Sequence, residues 1–243
     1  MKYFTGFLTT LFLLLFVETS AQKALKIGDY YPISDGNTWR YTAPEGWKDV
    51  DYISSIKKEE NQLVVIYKKY GLDVPAVLKS NSNNDFYKHF DATKTAKLLV
   101  VNAKGVWYFG ELFSNNGGTV LFEQPILWFS SKFEVGDSVD EERNFNRYYE
   151  DGTVLQGTFH ITQKIEAKAT VVVPAGTFKD CLRIAFDTHW DFGKGSEAKS
   201  INVYHYSKQT GVVKASARFI ILKNKKELIN RLVEPDLKSY GLN

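Results

Sequence analysis

The chain has very few sulfur-containing residues. Among its 243 residues there is one cysteine, Cys181, and the only methionine is Met1. A single thiol cannot form an internal disulfide, so an exported chain of this size must be stabilised by burial of its core. A lipid anchor attached at a cleaved signal sequence would need a cysteine at the cleavage site, and Cys181 lies far from it. We therefore expect neither an internal disulfide nor a lipid anchor.

Long apolar runs are missing beyond the N-terminus. Lys2 precedes an apolar run from Phe7 to Val17, and small residues follow up to Ala21. This order is typical of a secretory signal peptide cleaved after Ala21. The run is too short to cross ~30 Å of hydrocarbon as a helix. The sequence predicts a signal peptide at residues 1–21 and an exported chain, periplasmic or extracellular, without a transmembrane segment.

Neither sign of charge dominates the sequence. There are 31 Lys and Arg residues against 28 Asp and Glu, for a formal net charge of +3. Nucleic-acid binding needs a basic face rather than one short basic run. The basic cluster that stands out is Lys223, Lys225 and Lys226. No nucleic-acid partner is expected.

The sequence is rich in β-strand patterns. Apolar and polar residues alternate over residues 155–165 and 182–192, and turn residues interrupt such runs at intervals of about 8 to 12 residues. Half-buried antiparallel strands have this alternation. We predict an all-β fold, a single domain over residues 22–243 with an extended, curved antiparallel sheet that is half-barrel or sandwich-like. Residues 225–237, KKELINRLVEPDL, have helical spacing and predict a short C-terminal helix that ends at Pro235.

Three dipeptides indicate hairpin turns. These are Asp151-Gly152, Lys104-Gly105 and Gly117-Gly118. The stretch VVVPAGTFKDCLRI, residues 171–184, is interpreted as two strands joined at Pro174–Gly176, because proline withholds a backbone donor and glycine permits a tight reversal.

Cys181 begins the second strand of that hairpin. It is either a packed structural side chain or a nucleophile. A catalytic thiol needs a base within reach and a lowered pKa. Because a small, partly apolar side chain packs readily at a strand start, we interpret Cys181 as structural.

Four segments, taken in order, carry a family resemblance. They are DYYPISDGNTWRY (Asp29–Tyr41), QPILWFSSKFEVGDSV (124–139), VPAGTFKDCLRI (173–184) and the closing stretch Tyr204–Lys214. Together they resemble uncharacterised secreted β-sheet proteins of Gram-negative bacteria over most of the mature chain. Some of those proteins are similar to the curved, half-open sheets of periplasmic lipoprotein-carrier domains. The resemblance implies a cradle for acyl chains, and it supplies no catalytic residues. We expect no cofactor.

The strongest polar constellation is DTHWD, in which Asp187, His189 and Asp191 share one face of a strand. The outer two Cα atoms would lie ~13 Å apart, so one metal could take all three side chains only if the strand bent. A metal site would need help from a nearby strand, for which His205 is the candidate. A metal-assisted hydrolase at Asp187, His189 and His205 is one hypothesis. The interpretation we adopt is a solvent-facing strand whose charges discourage association, with no metal.

Aromatic residues are abundant, with 17 Phe, 14 Tyr and 5 Trp. The stretches GVWYFGELF and PILWFSS are apolar on both faces, so one sheet layer cannot cover Trp107, Phe109, Trp128 and Phe129 together. Either a second layer covers them or they form a groove for a ligand. The leading hypothesis is a non-enzymatic binding or carrier module whose aromatic groove, at these four residues, accepts an apolar molecule such as an acyl chain, or a lipidated partner.

The alternative hypothesis is a structural or partner-binding protein of the cell envelope. Such a protein would use exposed aromatic residues and sheet edges to contact proteins or glycans. If Trp39 or Trp47 lay flat on the surface beside tyrosines, this alternative would gain support.

Overall fold

The structure is a computed structural model that describes residues 27–32, 37–42, 50–59, 62–69, 95–112, 119–149 and 151–242. The predicted signal peptide at residues 1–21, the Gly117-Gly118 turn and Trp47 lie outside these ranges. The elements are α1 (Ile27–Tyr30), β1 (Thr38–Tyr41), β2 (Val50–Glu59), β3 (Gln62–Lys69), β4 (Thr95–Asn102), β5 (Gly105–Leu112), β6 (Thr119–Ser130), β7 (Ser138–Tyr148), β8 (Val154–Val173), β9 (Gly176–Asp191), β10 (Ser196–Ser207), β11 (Gly211–Lys223), β12 (Lys226–Val233) and β13 (Leu237–Gly241).

The strands of the described residues form one antiparallel sheet of thirteen strands. Its order is β12-β11-β10-β9-β8-β7-β6-β5-β4-β3-β2-β1-β13. From β1 to β12 each strand pairs with the next one in the chain, as short connections favour. β13 departs from this order because it pairs with β1. The predicted all-β, antiparallel fold is confirmed.

The sheet is strongly curved. The ring of Trp128 on β6 stacks on that of Phe186 on β9, with centroids 4.9 Å apart. In the same way Phe122 on β6 stacks on Trp190 of β9 at 5.8 Å. Three strand spacings on a flat sheet would separate β6 from β9 by ~14 Å. The sheet therefore curls until parts of one face meet each other, and the predicted curvature is confirmed.

The main core lies on this enclosed face, which we call the inner face. The largest fully buried side chains of the described residues are Tyr30, Tyr108, Phe129, Phe145, Phe159, Phe186, Ile126, Ile161, Ile165 and Leu182. Aromatic rings dominate the main core, and several meet edge to face, as Tyr108 does with Trp128 at 5.0 Å between centroids. Such pairs add to the stabilisation that burial of their apolar area supplies.

A smaller core cluster lies near the turn between β8 and β9. Its buried members are Trp39, Val171, Val173, Cys181, Val213 and Leu237. The backbone N–H of Ala175, in that turn, donates to the carbonyl oxygen of Leu237 at 3.0 Å. The start of β13 is thereby tied to the β8–β9 hairpin.

The two edges of the sheet come from consecutive strands, β12 and β13. The segment between them makes backbone hydrogen bonds on both sides. Ala215 N–H of β11 donates to Pro235 O at 3.0 Å, and Thr42 N–H donates to Asp236 O at 2.8 Å. This linker draws β11 towards β1. Among the strands that the structure describes, β12 pairs on one side only, with β11.

The predicted C-terminal helix is wrong, because Lys226–Val233 is strand β12. Asn224 and Lys225 both have positive φ, 50° and 65°, and form a two-residue turn that sends the chain back along β11. Ile229 then pairs with Ile221. The apolar spacing of residues 225–237 suggested a helix, but pairing with β11 decides the structure. A short sequence window contains no information about that pairing. No helix in the described residues has the length and apolar character that membrane crossing requires.

The predicted hairpins exist, but their turns differ in detail. Tyr148 pairs with Val154 across the Asp151-Gly152 hairpin, so the loop is longer than two residues. In it the Asp151 carboxylate accepts a hydrogen bond from Thr153 N–H at 2.8 Å. Asn102 pairs with Gly105, which moves the β4–β5 turn one residue earlier than predicted. Val173 pairs with Gly176 around Pro174, as predicted.

Candidate functional site

The inner face extends beyond the main core onto the last two strands. Antiparallel register lines up Trp190 on β9, Ala198 on β10, Ile221 on β11 and Ile229 on β12. Residues paired across neighbouring strands point to the same side of a sheet. Because Trp190 belongs to the main core and Ala198 packs against it, Ile221 and Ile229 also lie on the inner face.

Three apolar side chains at this end of the inner face are uncovered. Their exposed fractions are 45% for Phe219, 37% for Ile221 and 46% for Ile229. Ile221 pairs with Ile229, and Phe219 lies two residues before Ile221 on the same side of β11. We call these three residues the apolar lip. It is a contiguous apolar surface that begins next to the buried rings of the main core and is exposed to solvent.

Four buried polar residues lie on the inner face between the main core and the lip, and we call them the inner polar patch: Gln163, Thr188, Ser200 and Asn202. Thr188 on β9 pairs with Ser200 on β10, and their hydroxyl oxygens are 2.7 Å apart. The Asn202 amide donates to the same Ser200 hydroxyl at 2.7 Å. Ser200 in turn pairs with Phe219, which is therefore the point where the patch meets the lip. On its other side Phe219 pairs with Arg231 of β12.

Gln163 completes the patch from β8. It pairs with Phe186 on β9, which pairs with Asn202 on β10, so the two amides flank Phe186 in one row. Sequence reasoning missed this residue, although its alternation with Ile161 and Ile165 places it on the apolar face of β8. A polar residue in phase with an apolar strand face is the signal that would have found it.

The four aromatic residues predicted to form a groove are divided between the two faces. Trp128 and Phe129 are buried in the main core. Val106 pairs with Phe129 while Trp107 pairs with Leu127, so Trp128 has no partner on β5 and occupies a β-bulge. The extra residue lets Trp128 and Phe129 face inwards together. Trp107 and Phe109 are half-buried, and their alternation with Val106 and Tyr108 puts them on the opposite face.

The sheet is interrupted between β6 and β7. The two strands pair only from Thr119 to Phe122, so in the described residues the first half of β7 has no neighbour on that side. An open depression of about 420 Å³ lies there, lined by Glu123, Gln124, Glu142, Arg143 and Asn144. Arg143 pairs its guanidinium with Glu141 at 2.9 Å. This depression is polar and does not match an apolar ligand.

Two tyrosines on the inner face, the buried Tyr108 and the partly buried Tyr204, have raised pKa values and remain neutral at physiological pH. Burial, followed by the nearby Glu111 carboxylate, raises the pKa of Tyr204 to about 12. The same two causes raise the pKa of Tyr108 well above its usual value, and the Tyr108 hydroxyl donates to Glu111. These groups pack and donate hydrogen bonds on the inner face, and they are not poised as catalytic acids.

The structure does not bring the three candidate metal ligands together. His205 pairs with Arg183, six residues along β9 from His189, which corresponds to ~20 Å. Burial and the positive charges of Arg183 and Lys214 lower the pKa of His205. In the part of the chain that the structure describes, no group of three or more His, Cys, Asp or Glu side chains could hold a metal ion.

The outer face carries a polar arrangement that the sequence did not suggest. His160 on β8 pairs directly with His189 on β9. Each contacts a carboxylate: His160 Nε2 is 2.6 Å from Asp140 Oδ1, and His189 Nε2 is 2.9 Å from Glu197 Oε2. These side chains are solvent-accessible, as expected for a charged outer strand face.

Cys181 is fully buried in the smaller core cluster. Its Sγ lies 3.5 Å from the carbonyl oxygen of Phe178. Burial raises the pKa of the Cys181 thiol, which disfavours the thiolate that a nucleophile needs. The geometry favours a structural role.

No protein-family model and no curated protein sequence matches the chain. Among solved structures it is similar to a candidate lipoprotein of Parabacteroides distasonis, with a TM-score of 0.46 and 11% identity over 87% of this chain and 98% of that one. A candidate exported protein with a YmcC-like fold from Bacteroides fragilis gives a TM-score of 0.46 and 13% identity over the same shares of the two chains. The hypothetical lipoprotein YmcC of Escherichia coli gives 0.39 and 11% over 90% of each chain. Similarity at this level assigns no activity, ligand or partner.

Proposed function

We propose that the protein is an exported, non-enzymatic binding module that accepts an apolar chain, such as an acyl chain, on the inner face of its curved sheet. Export is supported by the signal-like pattern of residues 1–21. The site we assign is the apolar lip, with the buried rings of Trp190 and Phe186 behind it. The aromatic residues Trp128 and Phe129 contribute by filling the interior against which a ligand would lie.

The observation that carries this proposal is the continuity between the lip and the main core. A row of paired residues runs from buried Trp190 through Ala198 to exposed Ile221 and Ile229 without a polar interruption. Covering apolar surface contributes roughly 25 cal/mol per Å². A molecule that covered the lip would therefore gain free energy by extending the main core over the last two strands.

A non-enzymatic role is consistent with where the reactive side chains lie. Cys181 is buried with a raised pKa, and His189 and His205 are separated along the sheet. The residues that pair with the lip are Ala198, Ser200 and Arg231, and none of them is a usual general acid or base. This arrangement suits recognition more than bond cleavage.

The test is binding of a dansyl-labelled fatty acid to the purified chain 22–243, followed by its fluorescence. We expect saturable binding that Ile229→Asn weakens by about tenfold, because a polar side chain would then lie under the ligand. Leu232→Asn is the matched control: Leu232 is also on β12, is 56% exposed, and pairs with Arg218 on the outer face. It should leave the affinity unchanged. Absence of binding, or equal losses in both variants, would refute the assigned site.

The alternative of glycan or partner contact receives no support from Trp39. Its side chain is buried, and Nε1 donates to the carbonyl oxygen of Thr210 at 2.7 Å. A buried indole with its N–H already bonded is a packing residue rather than a surface platform.

A further inference from the structure

The charged side chains of the β11–β12 hairpin are separated by sign between the two faces of the sheet. Lys223 pairs with Lys226 and lies two residues beyond Ile221 on β11, so both lysines are on the inner face. Arg231 pairs with Phe219 and is also on the inner face. The three inner-facing charges of the hairpin are therefore all positive.

The acidic side chain of the hairpin, Glu227, lies on the outer face. It pairs with Leu222, whose side chain alternates onto that face, and its Oε2 accepts a hydrogen bond from the Asn230 amide at 3.2 Å. Asn230 Oδ1 accepts a hydrogen bond from Arg218, also on the outer face, at 2.8 Å. The hairpin thus places no carboxylate beside its three inner-facing cations.

The neighbouring strands β9 and β10 add no negative charge to the inner face near the lip. Glu197 contacts His189 on the outer face, with 2.9 Å between Oε2 and Nε2, and Asp191 pairs with Glu197 on that same face. Surface that carries charge of one sign over apolar walls attracts ions of the other sign. The lip and its surroundings therefore suit a molecule that is both apolar and anionic.

Lys223 and Lys226 are the cations best placed to bind the anionic part. Like charges directly opposite each other on neighbouring strands are destabilising, and an anion between the two ammonium groups would remove their repulsion. Lys223 Nζ donates to the carbonyl oxygen of Lys194 at 3.1 Å, which holds this ammonium group beside the β9–β10 turn. Ile221 is ~7 Å away along β11. A molecule whose chain covers Ile221 can thus place its head group at the lysine pair.

We propose that the polar end of the ligand is an anion, a carboxylate or a phosphate, that binds between Lys223 and Lys226 while the acyl chain covers the apolar lip. The two ammonium groups donate hydrogen bonds to its oxygen atoms. Hydrogen bonds between charged partners are stronger than those between neutral groups. This inference rests on the proposed function, since it assigns the polar end of the molecule whose apolar part covers the lip.

The experiment compares two competitors that displace the dansyl-labelled fatty acid from the chain 22–243. Dodecanoate is anionic at neutral pH, and dodecanol is neutral with a chain of the same length. The readout is the ratio of their affinities for the wild type and for Lys223→Gln/Lys226→Gln. We expect the preference for dodecanoate to fall by about tenfold in the double variant and by about threefold in Lys226→Gln alone. Dodecanol should bind all three proteins equally well.

The control is Lys164→Gln/Lys199→Gln. It removes two exposed lysines from the outer face of β8 and β10, so the net charge changes by the same amount. The preference for dodecanoate should stay at the wild-type value. An equal loss in the control would mean that distant charge is sufficient. A loss in Arg231→Gln but not in the lysine variant would put the head group at the other end of the lip. Either result would overturn the assignment.

Dodecyl phosphate, titrated in the same assay, separates the two sources of the anion. A phosphate monoester carries up to two negative charges near neutral pH. A site for lipid phosphate should therefore prefer it to dodecanoate in the wild type and lose that preference in the lysine variant. A site for free fatty acids should prefer dodecanoate. Either preference supports an anionic end when it depends on the lysine pair.

The outcomes separate this inference from the proposal beneath it. If both competitors bind and their ratio is the same in the wild type and the lysine variant, the lysine pair does not bind the head group. The inference then fails, while the binding function stands. If neither competitor nor the fluorescent acid binds, both fail. Added salt should also reduce the wild-type preference for dodecanoate, because salt screens exposed charges. A preference that did not respond to salt would contradict the lysine site.

Discussion

The position of Cys181 makes its thiol unreactive in the folded protein. Its thiol is enclosed by the smaller core cluster, and its pKa is raised by that burial. A thiol reacts with disulfide reagents as the thiolate and only when the reagent can reach it. The residue therefore reports on the integrity of the cluster between β13 and the β8–β9 hairpin.

We predict that Ellman's reagent leaves Cys181 unmodified in the folded protein and modifies it fully in denaturant. The rate at neutral pH should follow global or local unfolding rather than the chemistry of an exposed thiol. Rapid reaction of one thiol per folded chain would contradict the buried position.

Cys181→Ala should retain the fold and lower the free energy of unfolding by roughly 1 kcal/mol, as expected for a small buried side chain.

Single residues also decide which aromatic side chains are available to a ligand. The alternation of residues 182–192 correctly predicted that Leu182, Ile184 and Phe186 share a buried face. Trp128 and Phe129 are neighbours in sequence, so alternation assigns them to opposite faces. The bulge on β6 places both inside, and it depends on how β6 pairs with β5 rather than on the local sequence. For this reason the four residues predicted to line one groove lie on two faces of the sheet, with Trp128 and Phe129 inside and Trp107 and Phe109 outside.

At the level of secondary-structure elements, the β11–β12 hairpin forms most of the proposed binding site. It carries Phe219, Ile221 and Ile229, and its turn is made of two non-glycine residues at positive φ, Asn224 and Lys225. The sequence contained the apolar residues of β12, but their spacing also fitted a helix. Pairing with the neighbouring strand β11 decides between helix and strand. An edge strand makes its backbone hydrogen bonds with its partner, and the partner also fixes which side chains point to each face of the sheet.

Lys225→Gly tests this element. Glycine adopts positive φ without the steric cost of a Cβ, so the substitution should stabilise the protein by about 0.5–1 kcal/mol, measured as a higher urea midpoint. In a helix the same change would destabilise by about 1 kcal/mol. The control is Lys223→Gly, which lies within β11 and should destabilise. A lower midpoint for Lys225→Gly would contradict the hairpin.

At the scale of the whole molecule, one curved sheet both forms the core and leaves part of its inner face uncovered. The strand pattern and turn residues were enough to predict an all-β, curved antiparallel fold. The order of the strands and the pairing of β13 with β1 could not be predicted, since they depend on contacts between residues far apart in the chain. The apolar lip and the inner polar patch follow from that register, and no local motif marks either of them.

The measurement that tests the central claim most directly is native mass spectrometry of the chain 22–243, purified from its own host without detergent and then extracted with organic solvent. We predict excess mass that extraction removes and that is identified as a molecule with an acyl chain. Ile229→Asn should carry less of this mass, and Leu232→Asn should carry the wild-type amount. A bare mass equal to that of the sequence in all three proteins would contradict an apolar ligand on the inner face.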